Sequence, residues 1–369
     1  MTSKILIVKL GSIGDVIHCM PAVARLRRSL PGAQLHWLVE RYAASVLSYA
    51  RNVDRVIEID TMRWRRSLLR RETWTEMRKV LGGLRGFRYD AVLDFQGLWK
   101  SAFIGRLVKA KQVVGWDRPF VREPLSSIFY SRRMHRKECR ENVIDEHLRL
   151  VEAFLRMHPS WSVQPLEFPP PESEIEFEPL ASDVDRSWAR EQIRQHQLRD
   201  FILVNPGANW KSKLWPAENY ALLIKRLLTE RGMHVVISAG PGEQDLGEQI
   251  RDQVADPRAV LFCPTLNRLA ALAERARLFI GPDTGPLHIA AACRTPIVGI
   301  YAPTDPVRNG PYSSGDIVVQ KNRCGEYCYR RDCGPRHCIA AISVEEVFQA
   351  VGKRLENIPV NREGKDWKF

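Results

Sequence analysis

A glycine-containing turn near the N-terminus places an aspartate where it could act as a base. The segment Gly11-Ser12-Ile13-Gly14-Asp15 directly follows the apolar run Ile5–Val8. Its two glycines allow a tight turn and the close approach of a ligand. Asp15 would then lie beside the start of a helix, where its carboxylate could accept a proton from a hydroxyl group. The same spacing fits an aspartate that only caps the helix, so the pattern leaves both roles open.

Two loops in the second half of the chain carry groups suited to binding phosphate. Asn205–Pro216 follows an apolar run and contains Lys211 and Lys213, and lysine is a compact cation that binds phosphate oxygens. Gly281–His288 joins an apolar run to a helix start, so its N–H groups and the positive helix end form an anion site. The composition of Asn205–Pro216 alone also fits a solvated basic loop. Gly281–His288 also fits an ordinary turn between a strand and a helix, in which Asp283 or Thr284 caps the helix and His288 is a packed histidine.

Four cysteines lie close together near the C-terminus, in the pattern C-x3-C-x4-C-x4-C: Cys324, Cys328, Cys333 and Cys338. Four thiolates could hold a structural zinc ion or an iron–sulfur cluster. Because the spacing matches no standard zinc ribbon, reduced thiols in a loop are the alternative. The N-terminal segment does not resemble a signal peptide, so we expect a cytosolic protein whose cysteines form no disulfides.

The chain carries a net charge of +13, and two basic clusters lie in its first half. The first surrounds Trp64 and contains Arg63, Arg65, Arg66, Arg70 and Arg71. The second contains Arg132, Arg133, Arg136, Lys137 and Arg140. Such a surface favours an anionic partner, namely a phosphorylated substrate, an acidic membrane face or a nucleic acid. Nucleic acid is disfavoured because the sequence has no reading-helix motif and no strand platform with interleaved aromatic residues. No apolar run is long enough to span a membrane.

The candidate residues follow apolar runs that alternate with helical patterns, which is typical of a parallel α/β sheet. The first half predicts a helix that opens at Pro21 and strands at Ile5–Val8, Gln34–Val39, Ala91–Phe95 and Val113–Trp116. The second half predicts strands in FILVNPGA, HVVISAG, RLFIGP and TPIVGIYAP. It also predicts helices in ENYALLIKRLLTERG, LNRLAALAE and HIAAAC, the first ended by Gly232. Ser343 and Glu346 form the pattern of a capping box, so a last helix is expected at about 343–357.

A length of 369 residues suits two domains. The alternation stops between about 158 and 187, in a stretch rich in proline and glutamate that includes Pro169–Pro171. We therefore predict an N-terminal Rossmann-like domain at 1–165, a linker at 166–185 and a C-terminal Rossmann-like domain at 186–369. The last contains the cysteine-rich segment 324–338 and a C-terminal helix. Because open α/β sheets bind ligands at the carboxyl ends of their strands, two such domains suggest a cleft.

Three segments taken together resemble the heptosyltransferase family of glycosyltransferases, family 9. They are KILIVKLGSIGDVIHCMPAVARL, NPGANWKSKLWPAENY and FIGPDTGPLHIAAAC, and the resemblance runs from residue 1 to about 310. DFQGLWKSAFIGRL and REPLSSIFYSRRMH look most like the heptosyltransferase I branch, which adds the first heptose to the Kdo-lipid A inner core of lipopolysaccharide. The resemblance implies a GT-B fold with two Rossmann-like domains facing across a cleft. It also implies an ADP-heptose donor, an inverting reaction and no cofactor or metal for catalysis.

The resemblance further implies roles for single residues. Asp15 matches the family's base, and Lys213 matches the lysine that stabilises the leaving group. The nucleotide-sugar side is expected to contain a ribose-binding Glu243, Thr265 and Leu266 near adenine, and Ala208, Asn209, Asp283, Thr284, Gly285, Pro286, Leu287 and His288 around the diphosphate. The acceptor side is expected to contain Gly14, Arg63, Arg66, Gln96, Lys100 and Arg122.

An acceptor of this kind is an anionic glycolipid. We therefore expect a monomeric cytoplasmic enzyme that acts peripherally on the cytoplasmic face of the inner membrane and binds no nucleic acid. Base and phosphate site would lie on different domains, so domain closure would assemble the site. Two alternatives remain: transfer of a different nucleotide-activated sugar to another cell-surface glycan, and a non-transferring enzyme of the same fold, such as a nucleotide-sugar epimerase.

Overall fold

The chain folds into two compact units, Met1–Pro179 and Leu180–Phe369. The boundary between them falls within the segment predicted as a linker. The computed structural model describes residues 3–121, 123–135, 140–158, 161, 164–322, 324–325, 327–333 and 338–358. Arg122, Arg136 and Lys137, which the sequence singles out, lie outside these residues.

Unit 1 is built on one sheet of six strands. They are β1 Lys4–Val8, β2 Gln34–Glu40, β3 Arg55–Ile59, β4 Ala91–Asp94, β5 Gln112–Trp116 and β6 Arg132–Met134. Neighbouring strands pair in parallel in the order β3-β2-β1-β4-β5-β6. The central strands are short apolar runs, as expected where helices cover both faces of a sheet.

The α-helices of unit 1 are α1 Ile13–Ser29, α2 Thr61–Arg66, α3 Arg71–Gly86, α4 Trp99–Leu107 and α5 Val143–Arg156. The prediction that the first helix opens at Pro21 is wrong, because α1 begins at Ile13 and carries Pro21 in its interior. Proline has no N–H to donate to the carbonyl of residue 17. The residues around Pro21 are buried, so packing keeps this stretch helical despite the lost hydrogen bond.

Unit 2 repeats the same topology. Its strands are β7 Phe201–Val204, β8 His234–Ser238, β9 Ala259–Phe262, β10 Leu278–Pro282, β11 Ile297–Tyr301 and β12 Ile317–Gln320. They pair in parallel in the order β12-β11-β10-β7-β8-β9. Counted within its own unit, each sheet has the doubly wound order 3-2-1-4-5-6. The prediction of two parallel α/β domains is confirmed.

The helices of unit 2 are α6 Asp183–Gln195, α7 Ala217–Glu230, α8 Gln244–Val254, α9 Leu266–Ala273, α10 Gly285–Ala292, α11 Pro306–Asn309 and α12 Val344–Glu356. As predicted, Gly232 follows α7 with a left-handed φ of 64°. The predicted capping box at the start of α12 is also present, with Ser343 and Glu346 bonded to each other's backbone N–H groups. None of the described helices is both long and apolar enough to cross a membrane.

Candidate functional site

The turn after β1 is fixed by contacts that only glycine permits. Gly11 has a φ of 152°, and a Cβ atom there would collide with the hydroxyl of Tyr42. Gln96, at the end of β4, accepts hydrogen bonds from the N–H groups of Leu10 (3.0 Å) and Gly11 (3.3 Å) through Oε1. Asp94, which is buried, accepts one from the N–H of Gln96 at 2.9 Å. The predicted acceptor residue Gln96 therefore holds the turn at the point where the strand order reverses, the usual ligand-binding place in such sheets.

Asp15 is held by the residue that caps α1. Ser12 is the N-cap, and Asp15 lies three positions later, so Asp15 takes part in capping the helix without being the N-cap residue. Asp15 Oδ2 accepts hydrogen bonds from the Ser12 N–H at 2.7 Å and the Ser12 hydroxyl at 3.2 Å, which completes a capping box. Oδ1 lies 3.7 Å from Lys9 Nζ, and the Asp15 side chain is 34% exposed. One carboxylate oxygen is thus fixed, while the side chain still reaches the surface.

Lys9 is a buried cation beside Asp15 that the sequence reasoning did not assign. Its Nζ donates to the Phe95 carbonyl at 3.0 Å and lies 3.4 Å from His147 Nε2. His147 Nδ1 in turn lies 3.2 Å from the carbonyl of His18. A buried charge is stable only with such partners. The signal in the sequence was a lone lysine at the end of an apolar strand, directly before the glycine turn.

Lys100, a predicted acceptor-side residue, belongs to a second group of polar side chains at this edge of the sheet. Lys100 Nζ lies 3.5 Å from Thr61 Oγ1 and 3.9 Å from Glu40 Oε1. Burial lowers the pKa of Lys100. Burial also raises the pKa of Tyr42 to about 12, and the negative charges of Glu40 and Asp15 contribute to that rise.

The other predicted acceptor residues have different surroundings. Gly14 is buried in the first turn of α1 and does not form part of the glycine turn itself. Arg63 and Arg66 lie on α2 and are exposed. Arg63 forms an ion pair with Glu76. Their roles in acceptor binding stay predictions.

In unit 2, Lys213 is fixed by Asp283 at the corresponding point of strand reversal. Lys213 Nζ donates to Asp283 Oδ2 and to the Asp283 carbonyl, each at 2.7 Å. It also lies 4.7 Å from the ring centroid of Trp210, a cation–π contact. Asp283 Oδ1 is 3.0 Å from His288 Nε2, and Asp283 and His288 are both buried. The structure thus joins two predicted segments, the lysine loop and the β10–α10 turn.

The charge state of Asp283 follows from these contacts. Burial alone raises the pKa of this carboxyl group. The hydrogen bond from His288 and the charge of Lys213 outweigh the effect of burial and hold the pKa well below its usual range. Asp283 is therefore an anion throughout the neutral range, and its carboxylate contacts Lys213 and His288.

The start of α10 offers fewer donors than the sequence indicates. Pro286 has no N–H, and the N–H of Leu287 donates to the Thr284 carbonyl at 3.1 Å. Thr284 is the N-cap residue, but its hydroxyl donates to the Pro282 carbonyl at 3.3 Å and makes no bond to the helix. The N–H groups of Thr284 and Gly285 are therefore the donors of this turn that could bind an anion.

Glu243 packs against the loop that leads to Lys213. Its Oε2 accepts a hydrogen bond from the Gly240 N–H at 2.9 Å. Its carboxyl group fills the space beside Gly207, where any Cβ atom would collide with it. Ala208 and Asn209 follow directly, the first half-buried and the second exposed. The predicted ribose residue and the predicted diphosphate loop are therefore neighbours.

The two residues predicted near adenine lie at the end of β9, the neighbour of β8 in the sheet. Thr265 is the N-cap of α9, and its hydroxyl accepts a hydrogen bond from the Arg268 N–H at 3.4 Å. Leu266 is half-buried. Both lie at the same carboxyl edge as Glu243, which follows β8.

The cysteine segment brings its four thiols close to one another. Cys324 is hydrogen-bonded to Cys338 and Cys333 to Cys328, and the nearby Cys338 raises the pKa of Cys324. The described cysteines are all free thiols. Within the described part of the chain, no three His, Cys, Asp or Glu side chains are arranged to hold a metal ion. The structural zinc site at these cysteines stays a prediction.

Comparison with known proteins identifies the family. The model of glycosyltransferase family 9 (heptosyltransferase) matches residues 77–337. Lipopolysaccharide heptosyltransferase 1 of Pseudomonas aeruginosa is 30% identical over 332 residues, which cover 89% of this chain and 87% of that protein. The protein of the same name from Escherichia coli (strain K12) is 28% identical, with 87% of this chain and 94% of that protein covered.

Solved structures extend the similarity over both units. E. coli heptosyltransferase WaaC, solved with ADP and with ADP-2-deoxy-2-fluoro heptose, has a TM-score of 0.73 and 25% identity, covering 95% of this chain and 99% of that chain. A family 9 glycosyl transferase from Veillonella parvula has the same fold, with a TM-score of 0.79, 21% identity, and 96% and 98% covered. These similarities confirm the predicted GT-B fold. The chain belongs to glycosyltransferase family 9, the heptosyltransferase family, and is a glycosyltransferase.

Proposed function

We propose that this glycosyltransferase transfers a heptose from ADP-heptose to the inner core of lipopolysaccharide, with inversion and without a catalytic metal. The observation that carries the proposal is the partly buried ammonium group of Lys213, which Asp283 fixes beside the start of α10. A nucleoside diphosphate is the ligand that fits a fixed ammonium group beside a helix N-terminus. WaaC, one quarter identical over nearly the whole chain, was solved with ADP and with an ADP-heptose analogue.

The leaving group is stabilised by Lys213 and by backbone donors. Two N–H bonds of the Lys213 ammonium group are fixed by Asp283, so the third can point at a phosphate oxygen. We assign Asp283 to positioning Lys213, because a carboxylate would repel the diphosphate. The N–H groups of Thr284 and Gly285 and the positive end of α10 complete the site. Such preorganised donors stabilise the charge that develops as the ADP oxygen leaves.

The acceptor is activated by Asp15 in a single displacement. The acceptor hydroxyl oxygen forms a bond to the anomeric carbon while its proton passes to Asp15 Oδ1. The bond from that carbon to the β-phosphate oxygen breaks, and its electron pair leaves with ADP. Attack opposite to the leaving group inverts the anomeric centre. Lys9, 3.7 Å from Oδ1, holds a positive charge beside the base.

The acceptor is an anionic glycolipid that brings the monomeric enzyme to the cytoplasmic face of the inner membrane. Lys100, Arg63 and Arg66 provide cations on the unit that carries Asp15. Carboxylates of the Kdo sugars are suited to bidentate binding by arginine. The relatives from Pseudomonas aeruginosa and E. coli, named for the lipopolysaccharide that they modify, support this acceptor.

Mass spectrometry with a donor panel tests the function. With Kdo-lipid A as acceptor, we expect a heptose-sized mass increase with ADP-heptose and none with other nucleotide sugars. EDTA should leave the turnover unchanged, because Lys213 and the backbone donors neutralise the diphosphate. A strict requirement for Mg²⁺ would contradict metal independence. Conversion of the donor in the absence of acceptor would instead indicate an epimerase.

Gly207→Ala is expected to weaken ADP binding by about ten- to a hundredfold, which is the effect of losing a hydrogen bond to a charged group. The reason is that the added methyl group collides with Glu243 and displaces its carboxylate from the ribose position. Titration calorimetry with ADP measures the loss. Gly82→Ala, on α3 with open space around its Cβ position, is the matched control. Unchanged ADP affinity in Gly207→Ala would remove Glu243 from the nucleotide site.

A further inference from the structure

The loop that joins α2 to α3, Ser67–Arg70, presents two leucines to solvent. The side chain of Leu69 is fully exposed and that of Leu68 is about half exposed. Single exposed leucines are ordinary on protein surfaces. Here two adjacent leucines form the tip of one loop, so the tip is an apolar surface that a partner could cover.

The loop is held in a fixed conformation by its own polar groups. The Arg70 N–H donates to the Ser67 carbonyl at 3.0 Å, and the Thr73 hydroxyl donates to the same carbonyl at 2.8 Å. Trp74 Nε1 donates to the Leu68 carbonyl at 2.7 Å. Carbonyl groups near the tip are thus satisfied internally, as an apolar medium requires. Trp74 is about half exposed, which suits a side chain at a membrane–water interface.

Positive charge surrounds the leucines. Residues 61–71 contain no acidic side chain and five arginines: Arg63, Arg65, Arg66, Arg70 and Arg71. Among the described residues, only Arg63 of these five forms an ion pair, with Glu76. Guanidinium groups bind phosphate oxygens in pairs, and each cation near an anionic bilayer adds to its attraction. The arginines and leucines of the loop therefore match a lipid bilayer, in which headgroup phosphates lie above the hydrocarbon region.

More exposed apolar side chains lie on the element that contacts the start of α2 and on its neighbour. Lys100, on the first turn of α4, contacts Thr61 at the start of α2. Helix α4 packs against the 3-10 helix Pro124–Phe129. These two helices expose Trp99, Phe103, Leu125 and Ile128. Unit 1 therefore carries further exposed apolar side chains besides the two leucines.

We propose that the Leu68–Leu69 loop anchors the enzyme to an anionic phospholipid bilayer. The two leucines enter the acyl region, and Arg65, Arg70 and Arg71 bind headgroup phosphates. Anchoring would serve the proposed function, on which this inference rests, because a lipid-linked acceptor lies in a bilayer. The binding to lipid itself requires neither a sugar acceptor nor a donor. A second copy of the chain is a poorer occupant, because five arginines around one tip would face five more.

Co-sedimentation with vesicles of phosphatidylglycerol and phosphatidylcholine, without sugars, tests the anchor. The unaltered protein should bind, and a variant carrying Leu68→Ser and Leu69→Ser should bind at least about tenfold more weakly, since burial of each leucine contributes about that factor. Leu222→Ser, about equally exposed on α7, should bind as the unaltered protein does. Arg70→Glu with Arg71→Glu should also weaken binding, and pure phosphatidylcholine should bind less protein.

Equal vesicle affinity of the unaltered protein and the double leucine variant would overturn the anchor, as would failure of the unaltered protein to bind. If ultracentrifugation showed a dimer that the leucine changes convert to a monomer, a second copy would be the occupant. Melting temperatures verify that the variants fold. Turnover on a water-soluble deacylated acceptor should be unchanged by the leucine variant. Vesicle binding without any heptose transfer would refute the proposed function and leave the anchor standing.

Discussion

Asp15→Asn is expected to lower the turnover number by about 10²–10⁴-fold, the usual contribution of a positioned general base. An amide cannot accept the proton that the acceptor hydroxyl loses as it attacks. ADP affinity should stay the same, because the nucleotide groups belong to unit 2 and Asp15 belongs to unit 1. Initial rates with saturating donor and acceptor, together with ADP calorimetry, measure the two effects separately.

The substitution separates catalysis from helix capping. The asparagine side-chain oxygen can still accept hydrogen bonds from the N–H and hydroxyl of Ser12, which now go to Asp15 Oδ2 at 2.7 and 3.2 Å. Ser12→Ala provides the matched control: it removes the hydroxyl of the cap and leaves the carboxylate, so it should cost about 1 kcal/mol of stability and keep most of the turnover. Near-normal turnover in Asp15→Asn would show that Asp15 is only a structural residue.

The strands that the sequence patterns predict are the central ones, and the four that they miss are all edge strands. These are β3 and β6 in unit 1 and β9 and β12 in unit 2. In unit 1, charged residues interrupt the apolar runs of the edge strands, as Arg55 and Glu58 do in β3 and Arg132 and Arg133 do in β6. In unit 2, the edge strands β9 and β12 carry no charged residue but are only partly buried. Central strands are buried on both faces and keep the continuous apolar run that a sequence pattern detects.

The sequence predicts where the candidate site residues lie in the fold better than it predicts which residues they contact. The doubly wound topology places the turns after β1 and β10 at the carboxyl edge of each sheet, which the sequence already indicated. The pairings are tertiary: Lys213 meets Asp283 across 70 residues, and Lys9 meets His147 across 138. No local pattern encodes such distances. For this reason the sequence assigned Asp283 to the phosphate and overlooked Lys9, whereas the contacts assign Asp283 to Lys213.

Lys213→Ala is expected to lower the turnover number by about 10²–10³-fold, comparable with the loss of one preorganised donor to a developing anion. The donor's anomeric bond breaks only if the charge on the departing ADP is stabilised, and Lys213 is the cation fixed at the start of α10. Lys211→Ala is the matched control, because Lys211 lies in the same 3-10 helix, Lys211–Lys213, but is 74% exposed and pairs with Asp332 at 3.3 Å. It should keep nearly full turnover.

Asp283 determines how the Lys213 result is interpreted. Lys213→Ala removes the cation that pairs with the buried carboxylate of Asp283, so this variant should also lose about 3–5 kcal/mol of stability. Asp283→Asn keeps the lysine but loosens it, so turnover should fall less than in Lys213→Ala. Because the pKa of Asp283 is held low, its contribution to stability is complete above about pH 4 and is lost only in stronger acid. Equal turnover in Lys213→Ala and Lys211→Ala would exclude Lys213 from leaving-group stabilisation.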